Sequence, residues 1–193
     1  HDELGATASP DERLILYTVL IDGLRRPRIY DMQRRTVSVA RVFQGRAVDV
    51  GRRDVSPDQR LVLLDLAAAP TEQRDLMIYE LGTGTVVTPP FINTEADEFG
   101  AKFSPDGRRI VFVSDRNGSL DLFVVDLATG LLDQLPLVNT DRAEFDPEFT
   151  SDGQGLLFVS DRDGTAGIYM YHWALGVVDT LPIVNEPDAE ELL

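Results

Sequence analysis

The chain has 193 residues, 43% hydrophobic and 26% charged, enough for a sizeable core in one domain or in a repeat array. Its 33 acidic against 18 basic residues give a net charge of −15, a surface that repels phosphate backbones and makes nucleic acid and anionic membranes poor partners. The absence of cysteine excludes disulfides, thiolate metal sites and a cysteine nucleophile, and no apolar run reaches the ~18 residues of a membrane-inserted span.

In chain order, one pattern is stated four times. Its anchors are Asp11, Asp58, Asp106 and Asp152, at intervals of 47, 48 and 46 residues. Ser9-Pro10-Asp11-Glu12 precedes Leu14–Tyr17, and Ser56-Pro57-Asp58-Gln59 precedes Leu61–Leu64. Ser104-Pro105-Asp106-Gly107 and Thr150-Ser151-Asp152-Gly153 open the later copies. Proline presets φ, the aspartate accepts local backbone hydrogen bonds, and glycine takes the positive φ that closes a hairpin.

Each copy predicts four short strands. The first precedes the turn, as at Ala101–Ser104. The second is a continuous apolar run such as Ile110–Val113 or Leu156–Val159, a pattern that implies burial on both faces. The third is Leu122–Val125, with counterparts at Ile168–Tyr171, Met77–Tyr79 and Ile29–Tyr30. The fourth is weaker and more polar, as at Thr85–Thr88 and Leu131–Leu135, and ends at prolines, which suits an edge. No segment carries a helical stripe. The expectation is an all-β β-propeller: four blades of four antiparallel strands each, one domain over residues 1–193 with repeats 1–46, 47–94, 95–140 and 141–193. Asn185 to Glu190 repeats the phase of Asn93 to Glu98 and of Asn139 to Glu144, so a closed four-bladed ring is expected. The alternatives are a part of a larger propeller and a half-ring completed by self-association.

The run Phe-Ser-Pro-Asp-Gly, apolar strand, Ser-Asp-Arg-x-Gly, Asp-Leu-x-Thr-Gly resembles the PD40 repeat of TolB-like β-propellers. The likeness is strong in the third and fourth copies and looser in the first two. There the Ser-Asp-Arg-x-Gly hairpin gives way to Leu20–Pro27 and Ala67–Arg74, so the loops at that end should differ in shape. The resemblance implies an exported or periplasmic setting and contact with a protein or peptide partner. No signal peptide is present in this chain, and His1 marks it as a processed or cut form.

Candidate chemistry lies at the acidic step before each inner strand: Glu3, Asp97 with Glu98, Glu144 and Glu190, with Asp49 in the defective second copy. Around a channel mouth these carboxylates could hold Ca²⁺ or another divalent cation, or a Lys or Arg of a partner. In the plainer reading each caps a loop or faces solvent. Asp115-Arg116-Asn117-Gly118 and Asp161-Arg162-Asp163-Gly164 superficially resemble a calcium loop but lack its late glutamate, so they read as hairpin turns. His172, beside Trp173, has no orienting partner in sequence. No Gly-x-Ser-x-Gly elbow, phosphate loop or histidine cluster suggests catalysis or a resident cofactor. The reading is a non-catalytic binding or scaffold propeller. The alternative is an accessory propeller of a prolyl-oligopeptidase-like hydrolase whose catalytic domain lies outside this chain.

Overall fold

The computed structural model describes residues 3–8, 11–38, 49–67, 73–81, 85–89 and 92–181. Among them there is no helix, and four antiparallel sheets of four strands follow one another along the chain. The first holds β1 (Glu3–Ala8), β2 (Leu14–Ile21), β3 (Leu24–Asp31) and β4 (Thr36–Ser38). The second holds β5 (Asp49–Val55), β6 (Leu61–Ala67), β7 (Arg74–Glu80) and β8 (Thr85–Val86). The third holds β9 (Glu98–Phe103), β10 (Arg109–Ser114), β11 (Asp121–Asp126) and β12 (Leu132–Asp133). The fourth holds β13 (Glu144–Phe149), β14 (Gly155–Ser160), β15 (Gly167–His172) and β16 (Val177–Thr180). Each sheet is an up-and-down meander, which is a propeller blade.

In β10 the run Ile110–Val113 is apolar throughout because both its faces meet another blade. Ile110 and Phe112 pack with Leu63, Leu76 and Ile78 of the blade before. Val111 and Val113 pack with Leu156, Phe158 and Tyr169 of the blade after. Phe112 and Phe123 are fully buried and stack at 5.6 Å, each ring contributing about 1.5–3 kcal/mol by burial.

The Ser-Pro-Asp-Gly turn behaves as its residues dictate. The Ser104 hydroxyl donates to Asp106 at 2.6 Å, Arg108 N donates to the same oxygen, and Gly107 sits at φ 69°. Ser56 with Asp58 and Thr150 with Asp152 repeat the bond. The turns also nest: a methyl added at Gly107 would come within 3.3 Å of Pro57 Cδ, and one at Gly153 within 3.7 Å of Pro105 Cδ. In the first two blades Glu12 and Gln59 hold the glycine position at φ 55° and 63°.

One expectation is corrected. The inner strand starts at Glu98, not Ala101, because a bulge at Gly100 (φ 66°) interrupts the alternation that marks a strand in sequence. Among the described residues the inner strands contact in series, β1 to β5 to β9 to β13, and closure of the ring is not detected, which accords with the alternative of a part of a larger propeller. Repeat phase counts blades but does not set the angle between neighbouring sheets, and that angle decides closure. The first blade's hairpin does differ in shape, and residues 68–72 of the second lie outside the described residues. The first is a two-residue turn, Asp22-Gly23, with both residues at positive φ, joining two eight-residue strands.

Candidate functional site

The end of the blades where inner strands begin collects the acidic residues. Glu98 pairs across the ladder with Ser114, and Glu144 with Ser160. The Glu98 carboxylate is fully buried. It accepts from the Thr94 hydroxyl at 2.7 Å, Thr94 N at 3.0 Å, the Ser114 hydroxyl at 2.8 Å and Arg116 Nη2 at 3.1 Å. Arg116 also donates to Ser114 Oγ and to Ile92 O, and its guanidinium lies 4.6 Å from the Phe123 ring centroid. Glu144 is surrounded in the same way by Thr140, Ser160 and Arg162, with Arg162 over Tyr169 at 4.7 Å.

A buried carboxylate is tolerated only when its charge and lone pairs are met, and here both are. The Ser-Asp-Arg-x-Gly hairpin therefore does more than turn. Its serine and arginine complete the polar lock that anchors the loop before each inner strand. Glu98 and Glu144 cap the loops that precede them and are closed off from solvent, unlike carboxylates presented to a mouth. Glu3 and Asp49 open β1 and β5, opposite Val19 and Ala67, and their side chains lie outside the description; Glu190 lies outside the described residues.

Asp97 is different. It is half-buried, accepts from Arg74 N at 2.9 Å, and its own N–H donates to Asp115 at 2.9 Å. Together with Gln73, Thr94, Glu95, Ala96, Asp115 and Arg116 it lines an open cavity of about 700 Å³ between the second and third blades. Gln73 bridges its rim, donating to Thr94 O and Ala96 O. Nearby, burial and the charges of Glu98 and Asp97 push the Asp75 carboxyl above its usual range. The acidic character of this mouth thus resides in Glu95, Asp97 and Asp115, above the locked Glu98. Among the described residues no three His, Asp or Glu side chains are grouped so as to hold a metal ion. His172 finds Asp179 at 3.1 Å on the outer strands of the fourth blade, away from this mouth.

Sequence reasoning missed the arginines and the two loop asparagines. Asn93 receives Leu76 N and donates to Leu76 O, at 3.0 and 2.9 Å, so its amide mimics a strand on the edge of β7; Asn139 does the same for Leu122 of β11 at 2.8 and 2.8 Å. Their recurrence five residues before each glutamate was the available signal.

Residues 70–190 match the PD40 family, the TolB β-propeller domain. No curated protein is similar in sequence. Among solved structures, TolB from Acinetobacter baumannii is similar with a TM-score of 0.67 at 21% identity, over 93% of this chain and 43% of that one. A TolB from Agrobacterium tumefaciens, described as putative, gives 0.66 at 18%, over 90% and 62%. Puromycin hydrolase gives 0.69 at 12%, over 96% and 29%. The chain thus spans roughly half the length of the TolB structures it resembles, and at these identities the likeness is one of fold.

Proposed function

The chain belongs to the PD40 family of TolB β-propeller domains, and from that premise we propose that it is a non-catalytic binding module that takes a basic group of a protein or peptide partner at the mouth between its second and third blades. The observation that carries this reading is the open cavity of about 700 Å³ rimmed by Glu95, Asp97 and Asp115. Glu98, bound to Thr94, holds the rim loop in place beneath it, so that binding requires no rearrangement of the blades. Asp97 and Asp115 are the oxygens offered to a Lys or Arg. An exported or cell-envelope setting fits the family and an acidic chain alike.

Calorimetric titration with a lysine-rich peptide at low salt tests this. The isosteric pair Asp97→Asn and Asp115→Asn keeps the loop geometry and should weaken binding about tenfold, in line with the loss of two close charge pairs. Equal affinity of parent and variant overturns the reading. A Ca²⁺ titration run in parallel measures whether a hard cation competes for the same mouth.

A second reading is favoured by the likeness to puromycin hydrolase and to prolyl oligopeptidase B from Galerina marginata, at TM-score 0.68, 14% identity, 95% of this chain and 27% of that one. In it the blades accompany a hydrolase domain and gate its substrate. A hydrolase domain adjoining this chain in its reading frame decides for it.

A further inference from the structure

β6 holds a buried acid that lines no part of the mouth. The strand reads Leu-Val-Leu-Leu-Asp-Leu-Ala, and its single charged residue, Asp65, is 2% exposed. Asp65 Oδ2 accepts from Gly100 N of the third blade at 2.9 Å. A carboxylate in an apolar strand is costly to bury, and this ladder position does not demand one. Asp65 stands opposite Leu76; the matching pairs in the next two blades are Val113 with Leu122 and Val159 with Ile168.

Gly100 is the bulge of β9, lying between the Phe99–Val113 and Lys102–Val111 pairs. A bulge re-aims the residues beside it. On its N-terminal side stands Asp97, three residues or about 10 Å away along the chain, and Asp97 N donates in turn to Asp115. The point that Asp65 holds is therefore the point that sets where both rim carboxylates stand.

Two further carboxylates cross the same junction to backbone amides. Asp54 of β5 accepts from Phe103 N, at the far end of β9, at 2.9 Å, and Asp97 returns the bond by accepting from Arg74 N of β7 at 2.9 Å. Between the third and fourth blades the repeat puts Lys102, Val113 and Ala143 in the places of Asp54, Asp65 and Asp97. Lys102 reaches the Glu148 side chain at 3.2 Å, and valine and alanine offer no side-chain acceptor. The fourth blade's inner strand is bulged all the same, between Phe145 and Glu148, so a bulge does not need the ties. Of these two junctions, the one with all three ties is the one that carries the cavity rimmed by Glu95, Asp97 and Asp115.

We infer that Asp65 and Asp54 are positioning residues for this mouth: they fix how β9 stands on the second blade, and so hold Asp97 and Asp115 where a partner's Lys or Arg meets both. This role rests on the binding reading above and adds to it the residues that set the mouth's width.

Asp65→Val, which copies the third blade, and Asp65→Asn, which keeps an acceptor for Gly100 N, test it in the full chain. Asp65→Val should weaken binding of the lysine-rich peptide about tenfold in calorimetry, through a rim no longer held in place, and Asp65→Asn should keep most of the affinity. Amide hydrogen exchange gives a readout that needs no ligand. The Arg74 N–H, bonded to Asp97 at the mouth, should exchange faster in Asp65→Val but not in Asp65→Asn. The Leu122 N–H, bonded to Asn139 at the next junction, should keep the parent's rate, whereas a general loss of stability would speed both. If Asp65→Val does not fold, Asp54→Ala, at a half-buried position, carries the same two measurements with the same expected directions. A parent that binds no peptide sinks the binding reading by itself, and exchange at Arg74 then decides the positioning role. Unchanged affinity, unchanged exchange at Arg74, or equal quickening at Leu122 overturns the inference.

Discussion

The third and second blades solve the same structural problem with opposite chemistry. Where the third has Glu98, Ser114 and Arg116, the second has Val50, Leu66 and Ala68 at the matching repeat positions. The ladder confirms the match for two of the three: Glu98 stands opposite Ser114, and Val50 opposite Leu66. The second blade lacks all three polar members together, as the physics of a buried charge requires, since a lone member would be left desolvated. The first blade keeps Glu3 but has Val19 and Ile21 for the serine and arginine. The comparison of the second and third blades teaches that an apolar trio can stand in for the whole lock, while the first blade keeps its glutamate alone.

That equivalence is open to direct attack. Arg116→Ala should cost about 3–5 kcal/mol in urea unfolding, because it strands the buried Glu98 charge. Copying the second blade in full, with Glu98→Val, Ser114→Leu and Arg116→Ala together, should recover most of that loss. If the triple variant is as unstable as the single one, the two blades are not alternatives. Asn93→Ala comes next. It leaves Leu76 N and O unpaired between blades and should cost about 1–3 kcal/mol, read by the same unfolding curves. A smaller effect of opposite sign is expected in the first blade's turn. Glu12→Gly relieves a left-handed residue that Gly107 spares the third blade, and should raise stability by about 1 kcal/mol.

Acid should act on what the blades share. The Ser56, Ser104 and Thr150 hydroxyl bonds hold Asp58, Asp106 and Asp152 below the usual carboxylate range. Their folded-state values lie under their unfolded ones, so their contribution is whole above the unfolded range and is lost as pH falls through the folded values. Burial pushes Asp54, whose carboxylate accepts from Phe103 N across the blade junction, the other way; its contribution fades as pH rises through its raised value. Thermal melts from neutral to strongly acid pH should fall on the acid side, and Ser104→Ala should flatten that fall slightly.

The fold was legible because the turn chemistry repeats. Ser-Pro-Asp, an apolar run and a glycine turn recur at one period, and each has a local physical cause. The site was legible only in part. Glu98 stood out by recurrence, but its partners Ser114 and Arg116 lie far along the chain and belong to a motif that a hairpin already explains. The simultaneous replacement at Val50, Leu66 and Ala68 was the clue that joins them. The bulge at Gly100 hid the true start of the inner strand, and with it the fact that Glu98 lies within the ladder. Asp115 recurs as Asp161, but in a motif that a hairpin turn already explains, and nothing in the repeat places it on one rim with Glu95.

The nested turns have a consequence of their own. Pro57 rests where Gly107 leaves room, and Pro105 where Gly153 does, so each copy of the motif is at once a wedge and a seat. At the first junction the Gln59 amide grips Asp11 instead. When a blade of the later type is duplicated, both halves of the fitting travel with it, and the new copy arrives already cut to its neighbour's spacing. Tandem growth of such a propeller is self-gauging: the turn that closes one hairpin also sets the pitch of the next.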